Sequence, residues 1–318
     1  MLVWILFILL IFGLLALDLG VFHKSNKPVS IKESLAWTCV WITVALLFGG
    51  VIYWIYDTNF MGMNPNNVSA GKTVLDYYTG YVIEESLSLD NIFVIAMIFQ
   101  FFKIEPKFQH RILFWGILGA VFFRMIMIVL GAAFIESFAA ATYIFGGILL
   151  YSAIRMIKQS DDDNEDFTKS FGIRMLSKVY PIDWKAKNEG YFIRQNGKVV
   201  ATALFATLVV VEFSDILFAI DSIPAIFSIT TDPFIVFSSN IFAIMGLRNL
   251  YFFLSNMLDR FHFMKYSLVI VLMFVAIKML IVDFYHIDAM VSLIVILAAL
   301  TGGILISILK PKGTNLQS

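Results

Sequence analysis

The sequence predicts an all-α polytopic membrane protein of about nine transmembrane helices, containing an inverted repeat of two three-helix units. Three observations lead there. Of 318 residues, 60% are hydrophobic and 14% charged, against about 25% charged in a typical soluble domain, and the mean hydropathy is +0.85. So few charges cannot cover a soluble globule of this size, and most of the surface must face lipid. Apolar runs long enough to cross a bilayer recur along the chain. The basic residues fall almost wholly into alternate connections between those runs.

The spans lie near 2–22, 36–56, 77–102, 112–131, 134–157, 199–229, 234–257, 266–282 and 289–309. The first has no basic n-region and no small-residue cleavage site, and Asp18 stands where a signal peptide would be processed. It reads as a retained helix. Residues 1–57 then hold two N-terminal transmembrane helices, 77–157 the first three-helix repeat, and 158–198 a loop ending in a small hairpin. The second repeat occupies 199–283, and 284–318 the final helix and a tail. With the N-terminus outside, segments 23–35, 103–111, 158–198, 258–265 and the tail from Lys310 hold 18 of the 23 Lys and Arg residues, and the outer side holds Lys72. Basic loops face the cytoplasm, so the C-terminus is cytoplasmic, and a bacterial cytoplasmic membrane is the expected location.

The long loop opens with Asp161-Asp162-Asp163-Asn164-Glu165-Asp166. Such a tract reads as a solvated linker, with cation binding the alternative. It ends with two strand-like runs around Asn196-Gly197, a dipeptide that favours a type I′ hairpin because both turn positions need φ > 0. The net charge is zero, and no basic field invites nucleic acid. The single cysteine, Cys39, excludes an internal disulfide and a cysteine metal cluster.

An internal repeat relates Asp90-Asn91-Ile92-Phe93-Val94-Ile95 of the third span to Asp215-Ile216-Leu217-Phe218-Ala219-Ile220 of the sixth, with Arg124 and Arg248 near the same offset. Units of three spans each enter the membrane from opposite sides, an architecture of transporters with midplane sites on discontinuous helices.

Setting aside Glu136 at the edge of the fifth, the spans hold four basic residues (Arg124, Arg155, Arg248, Lys278) and seven acidic ones (Asp18, Glu84, Glu85, Asp90, Glu212, Asp215, Asp221). A carboxylate at mid-helix costs about 2.5–3.5 kcal/mol, so these groups face water, a partner or an ion. Six of the seven sit on the two equivalent helices of the repeats. Glu84, Ser88 and Asn91 share one helical face while Asp90 points elsewhere, so local unwinding at Ser86–Ser88 is expected. Glu212 and Asp215 are i, i+3 neighbours able to share a ligand. Pro224 removes the N–H that would pair with the Ile220 carbonyl, so a break just before it is expected, reorienting Asp221. Carboxylates with Ser and Asn oxygens, and no His or Cys among them, form a hard-oxygen set suited to Mn²⁺, Ca²⁺ or Mg²⁺. Pairing with Arg124, Arg248 and Lys278 is the purely structural alternative, but it leaves an acidic excess of three. Asp18 lies near its helix end, where it either joins the path or snorkels.

Glu84-x-Ser86-Leu87-Ser88-x-Asp90-Asn91, the stretch Val211-Glu212 through Asp215, Phe218-Ala219, Asp221-Ser222-Ile223-Pro224-Ala225, and Ser239-Asn240-x-Phe242-Ala243-Ile244-x-Gly246-Leu247-Arg248-x-Leu250-Tyr251-Phe252 together resemble the TerC family. The hairpin leading into Ala203-Leu204-Phe205 is similar to the family's, except that Ala203 stands where Pro is frequent. The resemblance implies a membrane transporter associated with manganese efflux and tellurite-resistance phenotypes. By motif position it implies Glu84, Asp90, Glu212, Asp215 and Asp221 on the cation path, with Asn91 and Asn240 as neutral ligands. Glu85 is outside the motif, and Ser88 and Ser222 are supporting residues. The tellurite label follows from no residue here, since an oxyanion site needs convergent cationic donors.

The expected function is therefore export of Mn²⁺, or of Ca²⁺ or Mg²⁺, by alternating access, with protons as the natural counter-ion and no permanently bound cofactor. No G-x-x-x-x-G-K-[ST] loop is present to drive it with ATP. No His-Glu-x-x-His or Gly-x-Ser-x-Gly is present for an enzyme. The alternative is a membrane assembly or metal-delivery partner of other proteins without autonomous transport.

Overall fold

The computed structural model describes residues 2–22, 31–138, 140–158, 168, 170–184, 190–195, 197–254, 264–285 and 287–309. The acidic tract and Asn196 fall outside the described residues, as do the side chains of Asp18, Asp90 and Asp221.

The described helices are α1 (Leu2–Phe22), α2 (Ile31–Asp57), α3 (Ala70–Phe101), α4 (Pro106–Ser137), α5 (Ala141–Lys158), a short α6 (Phe171–Val179), α7 (Ala203–Phe227), α8 (Pro233–Leu254), α9 (Met264–Leu280) and α10 (Ala289–Leu309). Each of the nine long ones coincides with one apolar span. Among the described residues α2, α4, α7, α8 and α10 contain segments long and apolar enough to cross a membrane, and α1, α5 and α9 contain shorter apolar ones. The 32-residue α3 is long enough but carries Lys72, Asp76, Glu84, Glu85 and Asp90. The chain is thus an all-α membrane protein.

Two boundaries and two expected distortions need correction. The fourth helix runs on to Ser137, taking Phe134 and Ile135 from the expected fifth span, and stops where Phe138 turns extended. The sixth begins at Ala203 instead of 199, because Val199 and Val200 are spent in a strand. Helix α3 is continuous through Ser86–Ser88, where the Ser86 hydroxyl donates to the Val82 carbonyl of its own helix. Helix α7 is continuous through Pro224. That proline stands one turn from the helix end, so its missing N–H costs a single bond, and its own carbonyl still accepts from Ser228 N at 3.1 Å.

Helix α8 is the axis of the bundle, buried almost throughout from Phe234 to Tyr251. Asp232 caps it, its Oδ1 accepting from Phe234 N at 2.9 Å ahead of Pro233 in the first turn. Around it α3 packs on α8 and α7, α4 on α7 and α8, and α5 on α9. Exchanging α3, α4 and α5 with α7, α8 and α9 maps these pairings onto themselves, as a two-fold related repeat requires. Gly80 permits the α3–α8 crossing, since a Cβ there would stand 2.9 Å from Ser239 Oγ. Helix α2 is fastened to α3 by Tyr77 and Tyr78, whose hydroxyls donate to the Ala45 and Leu46 carbonyls at 2.9 and 2.7 Å.

Outside the bundle, β1 (Ile182–Asp183), β2 (Phe192–Gln195) and β3 (Lys198–Thr202) form a sheet ordered β1-β3-β2. Strands β2 and β3 are antiparallel with Gln195 opposite Lys198, and Gly197 in the turn has φ 78°. β1 runs parallel to β3. The Thr202 hydroxyl, at the head of α7, donates to the Gly190 carbonyl at 2.8 Å.

Candidate functional site

Gly116, Ala120, Arg124 and Ile128 recur every four residues on α4 and are all buried. That face is small at Gly116 and Ala120, so α7 and α8 come close, and a single long side chain, Arg124, fills the space between them. Its guanidinium is 1% exposed.

Three helices supply acceptors for it. From α7, Asp215 is gripped at two points, Arg124 Nη2 donating to Oδ1 at 2.9 Å and Nε to Oδ2 at 3.2 Å. From α3, Glu84, fully buried, pairs with Nη1. Nη1 also donates to Asn240 Oδ1 of α8 at 3.0 Å and to Ser222 Oγ of α7 at 3.3 Å. Asn240 closes the ring, its Nδ2 donating to Glu84 Oε2 at 3.1 Å. A forked guanidinium suits two carboxylates better than an ammonium would. Fully ionised, Glu84, Asp215 and Arg124 sum to one negative charge inside an apolar bundle.

The structure thus brings together Glu84, Asp215, Asn240, Ser222 and Arg124. Arg124, expected as a supporting counter-ion to the buried carboxylates, stands at the centre of the network. Among the described residues no three His, Cys, Asp or Glu side chains converge in a way that could hold a metal ion, and the guanidinium lies between Glu84 and Asp215.

Asn91 is buried and borders, with Asp215, a cavity of about 20 Å³, room for about one water. Glu212 and Asp215, expected to share a ligand, diverge. The Glu212 carboxylate lies against Gly119 of α4, in space a Cβ would occupy. It borders an otherwise apolar cavity of 530 Å³ with Ile8, Trp115 and Phe122, and its Oε2 has no hydrogen-bond partner. Glu85 lies near Tyr81 on the neighbouring turn, and its Oε2 and the buried Ser88 hydroxyl lack partners. Arg248 is buried on α8 two turns beyond Asn240. Lys278 donates to Ser292 Oγ at 2.9 Å, away from the network.

A second cavity, of 770 Å³, was not anticipated from the sequence. It opens where α2, α7 and α9 end and α3 and α8 begin, and its walls include Tyr56, Lys72, Asp76, Asp232 and Lys278. Tyr56 donates to Asp232 Oδ2 at 2.5 Å. The signals were weak: Asp76 precedes the third apolar run by one residue, and Asp232-Pro233 reads as a helix start.

Fold and site together define a multi-pass α-helical membrane protein with a charged network where α3, α4, α7 and α8 meet. The chain belongs to the TerC family: the model of the integral membrane protein TerC family matches residues 69–315. It is 42% identical over 310 residues to an uncharacterized membrane protein of Myxococcus xanthus, covering 97% of this chain and 92% of that one. An uncharacterized membrane protein of Rickettsia bellii is 42% identical over 314 residues, 99% of each chain. A Salmonella typhi protein named "Putative membrane-bound redox modulator Alx" is 42% identical over 279 residues, 88% of this chain and 85% of its own length. No solved structure matches the chain.

Proposed function

We propose that the chain is a secondary transporter that exports a divalent cation, Mn²⁺ first among Mn²⁺, Ca²⁺ and Mg²⁺, across the bacterial cytoplasmic membrane by alternating access. The observation that carries the reading is the buried Arg124–Glu84–Asp215–Asn240 ring. Its carboxylate, carboxamide and hydroxyl oxygens are hard donors, contributed by both three-helix units, so a relative movement of the units opens or closes the ring.

In this reading Arg124 is a tethered resident cation. When Mn²⁺ arrives, its charge replaces the guanidinium on Glu84 and Asp215, and Arg124 swings aside. When Mn²⁺ leaves, Arg124 returns, so the two carboxylates are never left together unpaired, a state costing about 3–5 kcal/mol. The remaining negative charge accounts for a proton as counter-ion. Asp90 and Asp221 belong to the path by motif position, Glu212 by its unpartnered carboxylate. The N-terminus is outside and the C-terminus cytoplasmic, no cofactor is retained, and no catalytic step is involved. A thiol–disulfide cycle within this chain lacks a second cysteine.

Purified chain in proteoliposomes is the test, with Mn²⁺ flux followed by a trapped fluorescent chelator. Wild type is expected to exceed empty vesicles, and Glu84→Gln and Asp215→Asn are expected to lose at least tenfold. Wild-type flux equal to that of empty vesicles sinks the transporter reading in favour of an assembly or metal-delivery role.

A further inference from the structure

Helix α6 is the described α-helix that lies outside the nine spans, and its polarity is sharply divided. At 100° per residue, Phe171, Met175, Val179, Gly172, Leu176 and Ile173 occupy one continuous arc, while Ser177, Arg174 and Lys178 occupy the other. Half of the apolar arc is covered: Gly172, Ile173 and Leu176 are buried against the bundle. The other half is bare, with Phe171 65%, Met175 53% and Val179 70% exposed. Three large apolar side chains on successive turns are a surface that water disfavours and that an apolar environment stabilises.

The depth at which α6 sits says what covers them. Gly172 packs against Val209 and Phe213 of α7, where a Cβ would stand 3.1 and 2.7 Å from those side chains. The Phe171 and Phe213 rings meet edge to face at 5.6 Å. With a rise of 1.5 Å per residue, Val209 and Phe213 lie about 9 and 15 Å along α7 from Ala203. Helix α7 is about 37 Å long, so a hydrocarbon layer of about 30 Å centred on it begins about 4 Å from that end. The contact is therefore about 5–11 Å inside the hydrocarbon boundary, the depth at which in-plane amphipathic helices bury their apolar faces.

We propose that α6 lies in the membrane plane within the cytoplasmic leaflet, its Phe171–Met175–Val179 stripe against acyl chains and Arg174 and Lys178 reaching toward lipid phosphates. The leaflet is the cytoplasmic one because the basic connections, α6 included, mark that side. The bare stripe continues a surface that is already lipid-facing, since Leu217 and Ile220 on α7 are also exposed. The basic pair provides the charge complement to anionic headgroups. Nothing in this placement depends on which ion, if any, the bundle carries.

Cys39 is the chain's one cysteine, so site-directed labelling needs only Cys39→Ser as background. Phe171→Cys, Met175→Cys and Lys178→Cys, each alone in that full-length background, are spin-labelled in vesicles of phosphatidylethanolamine and phosphatidylglycerol. Collision rates are then measured with oxygen, which partitions into lipid, and with a water-soluble nickel chelate. The oxygen-to-nickel ratio is expected to be at least threefold higher at 171 and 175 than at 178. Equal ratios would place the stripe in water and overturn the proposal. Exclusion of both reagents from 171 and 175 would show a protein cover, from a partner or a second copy, and overturn it equally.

Discussion

Replacing Arg124 with Gln keeps much of the side-chain stem and removes the fork that holds Asp215 at 2.9 and 3.2 Å and pairs with Glu84. Two carboxylates, one fully buried and one 16% exposed, are then left facing each other with Asn240 and Ser222 as neutral donors. Breaking a buried pair from one side costs about 3–5 kcal/mol, or about two to three and a half decades in the unfolding constant at 1.4 kcal/mol per decade. The assay is SDS unfolding of purified chain in mixed micelles, followed by loss of helical ellipticity. Arg124→Gln is expected to be less stable by that amount. Adding Asp215→Asn is expected to restore about 1–3 kcal/mol, because the second change removes the repulsion the first created, a coupling typical of residues in one network. Arg124→Gln within 0.5 kcal/mol of wild type, or a double variant showing the plain sum of two losses, would refute the central placement of the guanidinium.

Gly119→Ala places a methyl group where the Glu212 carboxylate now lies. The far end of a flexible side chain can move aside, so stability is expected to change by less than about 1 kcal/mol, while Mn²⁺ flux in proteoliposomes falls severalfold because Glu212 is redirected. Unchanged flux would remove Glu212 from the path. Asn64, 5% exposed, organises the turn after α2: its Nδ2 donates to the Tyr56 and Val68 carbonyls at 2.9 and 2.8 Å, and its Oδ1 accepts from Val68 N at 2.8 Å. Asn64→Ala is expected to cost about 2–4 kcal/mol at about 1 kcal/mol per bond, read as a lower unfolding midpoint, and a midpoint equal to wild type would contradict it.

The nine spans were legible because long apolar runs are a one-dimensional signal that tertiary structure does not override. The uncharged Asn240 stood out only through the family resemblance, but that Glu84, Asp215 and Arg124 need partners was legible as well, since charge inside an apolar run demands one. Which partner was not. Glu212 and Asp215 are three residues apart on one helix, yet the first rests on a glycine of α4 and the second on the arginine one and a half turns further along α4. Only the rotation of α7 against α4 decides that, and rotation is a property of packing. The expected unwinding at Ser86–Ser88 rested on a demand for carboxylates to meet at one point, and the expected break before Pro224 on its missing N–H, which α7 tolerates one turn from its end. A guanidinium reaching from α4 meets two of them with both helices intact. Asp76 and Asp232 escaped notice because they lie just outside the apolar runs, where a carboxylate is ordinary.

Strand β3 ends at Thr202 and α7 begins at Ala203, with no residue between them. The Thr202 hydroxyl ties the junction to Gly190 and Tyr191, and α6 grips the same helix two to three turns on. Helix and sheet therefore form one continuous shaft, with Asp215 a little over three turns along it. A rotation of the sheet about the α7 axis has no intervening linker to absorb it before it reaches Asp215 and its contacts with Arg124.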